Sequence, residues 1–191
     1  MDRRQALQRA GLVLGYAISA PVIAGIMNGC KSTPDLTYKP VFFTEEQAGL
    51  VSEVAAIIIP KTDTPGAKEV GVPAFIDQLI KQCYKKEDQD RFLAGLAEFD
   101  EGAKKAYGDS FLDLDSGKQK EYVKKAHDAA LDASKSGAVK EKQFILMVKE
   151  LTVVGFYTSE EGASKILQYA PVPGAFHGCV PMAEVGKTWA T

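Results

Sequence analysis

The chain has 191 residues, of which 46% are hydrophobic and 25% are charged, values typical of a single globular protein and not of a disordered or fibrous one. Removing residues 1–29 takes away three arginines and one aspartate, so the net charge falls from −2 to −4 and Arg91 is the remaining arginine. Nucleic-acid binding needs a clustered basic face, usually with arginine, so this charge pattern excludes a nucleic-acid-binding protein.

The first residues have the pattern of a bacterial export signal. Arg3 and Arg4 form a twin-arginine pair, an apolar segment follows over residues 10–27, and the small residue Gly29 precedes Cys30. The stretch "MNGC" resembles a lipobox, which predicts lipidation of Cys30, while a retained signal anchor is the alternative. We predict a leader over 1–29, a polar tether over 30–42 and a domain over 43–191, periplasmic and held at the membrane by the lipid or the leader.

Apolar residues recur at helical spacing along the domain. Thr44 followed by Gln47 is a capping box, which marks a helix start. The broad apolar face from Phe144 to Gly155, which includes Val154, indicates a central helix. No run alternates as a strand would. We predict an all-α fold, an irregular bundle of about five helices with a long Pro/Gly-rich C-terminal segment packed on it. The predicted helices cover residues 44–59, 73–84, 92–106, 116–133 and 140–159.

Two connecting stretches are unusual. The first, "IIIPKTDTPGAKEVGVPAFID", contains residues that fix or reverse a backbone, with Gly66 expected to permit a positive φ. We expect a rigid loop that is either a turn between helices or a surface for a partner. Its distinctive residues are Pro60, Thr62, Asp63, Thr64, Pro65 and Gly66.

The second stretch, "YAPVPGAFHGCVPMAEVGKTWAT", has too many prolines and glycines for a regular helix and too many apolar residues for a free tail. We expect it either to fold back over the bundle or to be buried against another subunit.

The cysteines point to a disulfide. With Cys30 lipidated, Cys83 and Cys179 remain as an even pair in an exported protein, which favours a bond between them. The alternative is that Cys83 is a buried thiol on an apolar helix face.

No catalytic, cofactor-binding or metal-binding motif is convincing. The sequence has no dinucleotide fingerprint, P-loop, haem-attachment motif or H-E-x-x-H. His177 and Cys179 lack further zinc ligands at suitable spacing, and His127 is expected at the surface. The stretch "DLDSG" at 113–117 is better explained as a helix N-cap than as a calcium loop.

The two unusual stretches together identify a family resemblance. "IIIPKTDTPGAKEVGVPAFID" and "LTVVGFYTSEEGASKILQYAPVPGAFHGCVP" resemble the small subunit, subunit 3, of membrane-associated gluconate 2-dehydrogenase and related FAD-dependent sugar dehydrogenases. The resemblance covers nearly the whole chain from about residue 43.

This resemblance implies a division of labour between two proteins. A large flavoprotein of the glucose-methanol-choline (GMC) oxidoreductase type would hold the FAD and oxidise the substrate, and a separate cytochrome c with c-type haem would accept electrons. The present chain would hold no cofactor and would carry the twin-arginine signal for both. Partner contact or structural support is implied for Pro60, Thr62, Asp63, Thr64, Pro65, Gly66, Tyr157, Thr158, Pro173, Gly174 and Phe176, and none of these is catalytic.

Two other hypotheses remain open from the sequence. A stand-alone helical periplasmic lipoprotein with a structural or binding role would be a monomer without a flavoprotein partner. A stand-alone enzyme would show turnover or a bound metal by itself.

Overall fold

A computed structural model describes residues 36–138, 141–172, 174–175 and 177–190. Within these ranges the chain is helical and has no strand beyond one isolated backbone bridge, which confirms the all-α prediction. The α-helices are α1 (Glu45–Ile58), α2 (Val72–Cys83), α3 (Lys86–Tyr107), α4 (Ser116–Lys135), α5 (Phe144–Tyr157) and α6 (Met182–Val185). A 3₁₀ turn follows α3 at Phe111–Asp113 and a π-helical turn follows α5 at Gly162–Ile166.

The ends of α1 and α4 are set by capping side chains. The Thr44 hydroxyl accepts from the Gln47 amide at 3.2 Å and the Gln47 side chain accepts from the Thr44 amide at 3.0 Å, so the predicted capping box is confirmed. Asp115 caps α4 by accepting from the amides of Gly117 and Lys118. These hydrogen bonds lower the pKa of the Asp115 carboxyl below its usual value, and the bond from the Lys118 amide has the largest effect. "DLDSG" is therefore a helix cap, as predicted.

Helix α5 is the centre of the bundle and packs against each of α1 to α4. The first two turns of α5 are largely buried, and Phe144 makes an edge contact with Phe92 and a tilted contact with Phe99 at ring-centroid distances of 5.1 and 5.5 Å. Helix α4 contributes little to the core, since Val123 and Ala130 are its buried residues. The central position of α5 and the thin apolar face of α4 both agree with the sequence.

The last two turns of α5 differ from the prediction at one position. Val154 was expected to face the core, but 45% of its surface is exposed. The bundle covers only one side of α5 here, where Gly155 and Phe156 are buried and Val153 lies exposed beside Val154. Hydrophobic periodicity identifies apolar faces, and it does not say whether the same chain supplies the cover.

A buried carboxylate joins the start of the described chain to the bundle. Asp77 on α2 has no exposed surface, and it accepts hydrogen bonds from the amides of Val41, Phe42 and Phe43 at 2.7, 3.0 and 2.9 Å. Lys81, one turn later, donates to the Val41 carbonyl oxygen at 3.0 Å. Three amide donors satisfy a charge that would otherwise be costly to bury, so Asp77 orients the chain that leads into α1.

The described end of the predicted tether lies against the bundle. Leu36, Tyr38 and Phe42 pack against the core, and the Tyr38 hydroxyl is buried. Burial raises the pKa of the Tyr38 hydroxyl, and the negative charge of Asp77 raises it further. The segment immediately before α1 is therefore part of the packed structure, because its apolar side chains have a surface to cover.

No helix in the described ranges is both long enough and apolar enough to cross a membrane.

We predict that Asp77→Ala lowers the free energy of unfolding by about 3 kcal/mol, because three amides at the entry to α1 lose their acceptor. Chemical denaturation followed by circular dichroism measures the change. The control is Asp109→Ala, which removes an exposed carboxylate and should change stability by less than about 0.5 kcal/mol. Equal stability of the Asp77 and Asp109 variants would contradict this account of the segment.

Candidate functional site

The interface residues singled out from the sequence lie in the loop between α1 and α2, at the end of α5, and in the segment after the π-helical turn. Cys83 is the last residue of α2. Five predicted site residues lie outside the described residues, namely Arg3, Arg4, Cys30, Pro173 and Phe176.

Residues 60–66, here called the proline loop, form an exposed projection with a fixed base. Residues 60–64 are exposed, while Gly66 and Ala67 are buried. At the base, the Ala67 amide donates to the Ile59 carbonyl oxygen at 2.9 Å. At the tip, the Thr62 amide donates to the Thr64 carbonyl oxygen at 3.0 Å. The loop thus holds a defined conformation and presents the exposed Asp63 side chain to solvent.

The positive φ predicted for Gly66 is wrong, and the structure shows another reason for glycine at this position. Gly66 does not have a positive φ. A Cβ atom at this position would lie 2.6 Å from the Lys61 amide nitrogen and 2.8 Å from the Ile59 carbonyl oxygen, both of which are backbone atoms that cannot move aside. Glycine is required because two backbone segments approach each other closely at the base of the loop.

Two further contacts involve the C-terminal end of the proline loop and the residues that follow it. The Gly66 amide donates to the Glu69 side chain at 3.0 Å, and Lys68 forms an ion pair with Glu53 of α1 at 2.6 Å. Both residues of this pair are partly exposed, so the pair adds little stability. It links the residues that follow the loop to α1.

The end of α5 carries an exposed apolar surface. Val153, Val154 and Tyr157, here called the α5 end face, are 37%, 45% and 41% exposed. On the opposite side of the same turn, Gly155 is buried against the Phe75 ring of α2, and a Cβ atom there would lie 2.7 Å from that ring. Within the described part of the chain, α2 packs closely on one side of this turn, and the apolar side chains on the other side are exposed.

Thr158 has a structural part in this arrangement. Its hydroxyl donates to the Val154 carbonyl oxygen at 2.7 Å and its amide donates to the same oxygen at 3.0 Å. At the same helix end, the Ser159 hydroxyl donates a hydrogen bond to the Phe156 carbonyl oxygen. These bonds satisfy carbonyl groups at the end of α5 and turn the chain into the π-helical turn.

The described residues of 168–190, here called the C-terminal arm, extend from the bundle and close on themselves. The Gln168 amide donates to the Thr188 carbonyl oxygen at 2.8 Å, and the Ala190 amide donates to the Gln168 carbonyl oxygen at 2.9 Å. These two bonds hold the two ends of the arm together. Gly174, which has a positive φ, is exposed. The large apolar side chains exposed on the arm are Tyr169, Val172, Val180, Met182 and Trp189.

Both described cysteines are free and exposed. The structure therefore does not show the predicted disulfide between Cys83 and Cys179. It also contradicts the alternative that Cys83 is a buried thiol, because Cys83 is the last residue of α2 and is exposed.

Charged side chains outside these surfaces do not form a recognisable ligand set. In the described ranges, no three residues of the types His, Cys, Asp and Glu come together in a way that could hold a metal ion. A cleft of about 560 Å³ lies between α3, α4 and the start of α5, and Arg91 bonds Glu141 beside it at 3.0 Å.

The structure brings some predicted residues together and leaves others apart. Tyr157 and Thr158 adjoin each other at the end of α5, and Gly174 follows in the C-terminal arm. No hydrogen bond or ion pair among the described residues links the proline loop to Tyr157 or Thr158. The sequence reasoning missed Val153 as a surface residue, although its spacing of four residues from Lys149 and from Tyr157 places it on their side of the helix.

The comparison with known families agrees with the resemblance noted in the sequence. A family model described as gluconate 2-dehydrogenase subunit 3 matches residues 45–174. That range includes the proline loop, the α5 end face and the start of the C-terminal arm. No curated protein and no solved structure gave a significant match. Because the family model spans more than half of the sequence, the chain belongs to the gluconate 2-dehydrogenase subunit 3 family.

Proposed function

We propose that this chain is the non-catalytic small subunit of a periplasmic FAD-dependent sugar or gluconate dehydrogenase. It binds the large GMC-type flavoprotein and supports its folding, export and membrane association. Membership of the subunit 3 family implies association with a dehydrogenase catalytic subunit. The flavoprotein supplies FAD, and a separate cytochrome c supplies haem for onward electron transfer.

The observation that carries this proposal is the uncovered α5 end face. A helix that forms the centre of a bundle ends with Val153, Val154 and Tyr157 exposed on one side. Contiguous apolar surface of this kind is characteristic of protein interaction sites, because water contact with it is unfavourable. A partner that covers these three side chains removes that cost.

The C-terminal arm adds further apolar surface of the same type. Tyr169, Met182 and Trp189 are exposed, and aromatic residues and methionine are enriched in protein interfaces. The backbone bonds between Gln168 and the end of the arm limit the freedom of this segment before it binds. A segment that is already restricted loses less conformational entropy on association, which favours affinity.

The proline loop fits a polar contact at the edge of such an interface. Its backbone is fixed by the bond from Ala67 to Ile59, and its exposed Thr62, Asp63 and Thr64 carry hydrogen-bonding groups. Polar groups on a fixed loop contribute more to the alignment of two proteins in a complex than to the affinity between them. We assign the loop to recognition of the partner on this basis.

The twin-arginine pair supports the export part of the proposal. This kind of signal is associated with proteins that fold before they cross the membrane, often around a cofactor. An FAD-containing partner has such a need, and Arg3 and Arg4 of this chain supply the signal for both. Lipidation of Cys30 then holds the assembled complex at the membrane.

We predict that the double variant Val154→Lys/Tyr157→Lys weakens binding of the FAD-containing catalytic subunit by at least about a hundredfold, because each lysine would have to be desolvated in an apolar contact. Both proteins are co-expressed, and binding is measured by co-purification of flavin absorbance and by titration.

The matched control for this experiment is Val41→Lys, since Val41 is 48% exposed and lies before α1. It should leave the complex intact. Both variants should keep the circular dichroism spectrum and melting temperature of the original chain. If the Val154/Tyr157 variant binds as tightly as the control, the α5 end face is not the interface.

We predict that Arg3→Lys/Arg4→Lys leaves both this chain and its flavoprotein partner in the cytoplasm. Fractionation and immunoblotting of both proteins measure the distribution, with Arg9→Lys as the control for a general loss of charge. Periplasmic flavoprotein in the Arg3/Arg4 variant would exclude the export role and would leave the binding role to be judged by the titration.

A further inference from the structure

A second surface lies beside the first half of α5 and has a different character. It is a groove of about 240 Å³ between the end of α1, the middle of α4 and α5, here called the lysine groove. Its floor is apolar and includes Ile57, Ile58 and Ile145. Three lysines surround this floor, namely Lys120, Lys124 and Lys149.

The charge of the lysine groove is not neutralised by the described part of the chain. Lys118 and Lys125, on the same helix as two of the groove lysines, form ion pairs with Asp115 and Glu121. In the described ranges, no Asp or Glu carboxylate lies within ion-pair distance of Lys120, Lys124 or Lys149.

The imidazole ring of His127 also lines the lysine groove. The Nζ atom of Lys149 lies 2.8 Å from Nε2 of His127, and Nδ1 of His127 lies 3.1 Å from the Asp128 carboxylate. Because a lysine ammonium group can only donate, Nε2 of His127 accepts the hydrogen bond from Lys149 in this arrangement. The ring therefore positions the Lys149 ammonium group at the groove.

The groove is continuous with the proposed interface. Lys149, Val153 and Tyr157 are spaced four residues apart on α5, so they follow one another along the same side of the helix. A bound segment that covers the α5 end face can extend along α5 to the groove without crossing the bundle.

We propose that the lysine groove binds a segment of the dehydrogenase catalytic subunit in which one or two apolar side chains are flanked by carboxylates. The apolar side chains occupy the isoleucine floor, and the carboxylates pair with the three lysines. The groove is smaller than the roughly 300 Å³ at which pockets for drug-sized ligands begin, so it fits side chains of a partner better than a separate small molecule. This inference rests on the proposed function.

The test reverses two charges of the groove, both on α4, and as a control two charges outside it, one on α3 and one on α4. Lys120→Glu/Lys124→Glu is compared with Lys105→Glu/Lys135→Glu, whose lysines are exposed and outside the groove. The full chain is co-expressed with the catalytic subunit, and affinity is measured between 50 and 300 mM salt, on the order of the range in which surface charges are screened. We expect the groove variant to bind at least about tenfold more weakly, with a flatter salt dependence, and the control to bind normally.

A photo-crosslinking amino acid in place of Lys124 identifies the occupant. Cross-linking to an acidic segment of the catalytic subunit supports the proposal, whereas cross-linking to a second copy of this chain or to phospholipid overturns it. Unchanged affinity and salt dependence in the groove variant also overturn it, while the proposed function survives if Val154→Lys/Tyr157→Lys still weakens the complex. If the original chain does not bind the catalytic subunit at all, the proposed function itself fails.

Discussion

The central helix α5 carries more apolar surface than the bundle covers. Its first half is enclosed by the surrounding helices, and its last two turns are covered on one side only, where α2 packs closely against Gly155. Val153, Val154 and Tyr157 remain in contact with water as a result. A helix buried on every side would belong to a self-sufficient domain, whereas this one has a face that a second protein can complete.

The other surfaces are arranged around that constraint. The chain leaves α5 through the hydrogen bonds of Thr158 and Ser159 and continues into an arm rich in exposed apolar residues. On the other half of the same helix, Lys149 belongs to a positively charged groove. The proposed small subunit would thus bind its flavoprotein through an apolar centre with charged and polar groups toward the edges, which is the usual anatomy of a specific interface.

Much of the fold could be predicted from local pattern. The capping box at Thr44, the N-cap at Asp115 and the apolar spacing in α5 apart from Val154 depend on residues close together in the sequence, and the structure confirms them. The role of Asp77 could not be found in this way, because its partners are the backbone amides of residues 41–43, more than thirty residues earlier. A hydrogen bond to a distant backbone amide leaves no pattern in the amino-acid sequence, because every residue except proline has that amide.

The candidate site shows the same limit. A loop of prolines, threonines and glycine at 60–66 was recognisable, but the close approach of Lys61 and Ile59 that requires Gly66 depends on how the chain returns to the end of α1. The exposure of Val154 depends on what the neighbouring helices leave uncovered. The groove lysines come from two helices, and spacing within either helix alone does not reveal that they share an apolar floor.

Coverage of the α5 end face by a catalytic subunit can be measured by hydrogen–deuterium exchange of this chain, free and in complex with the FAD-containing subunit. We expect slower exchange in the complex over the last turns of α5 and over the C-terminal arm, with little change in α3. A stable complex in which these segments exchange as fast as in the free chain would contradict this expectation.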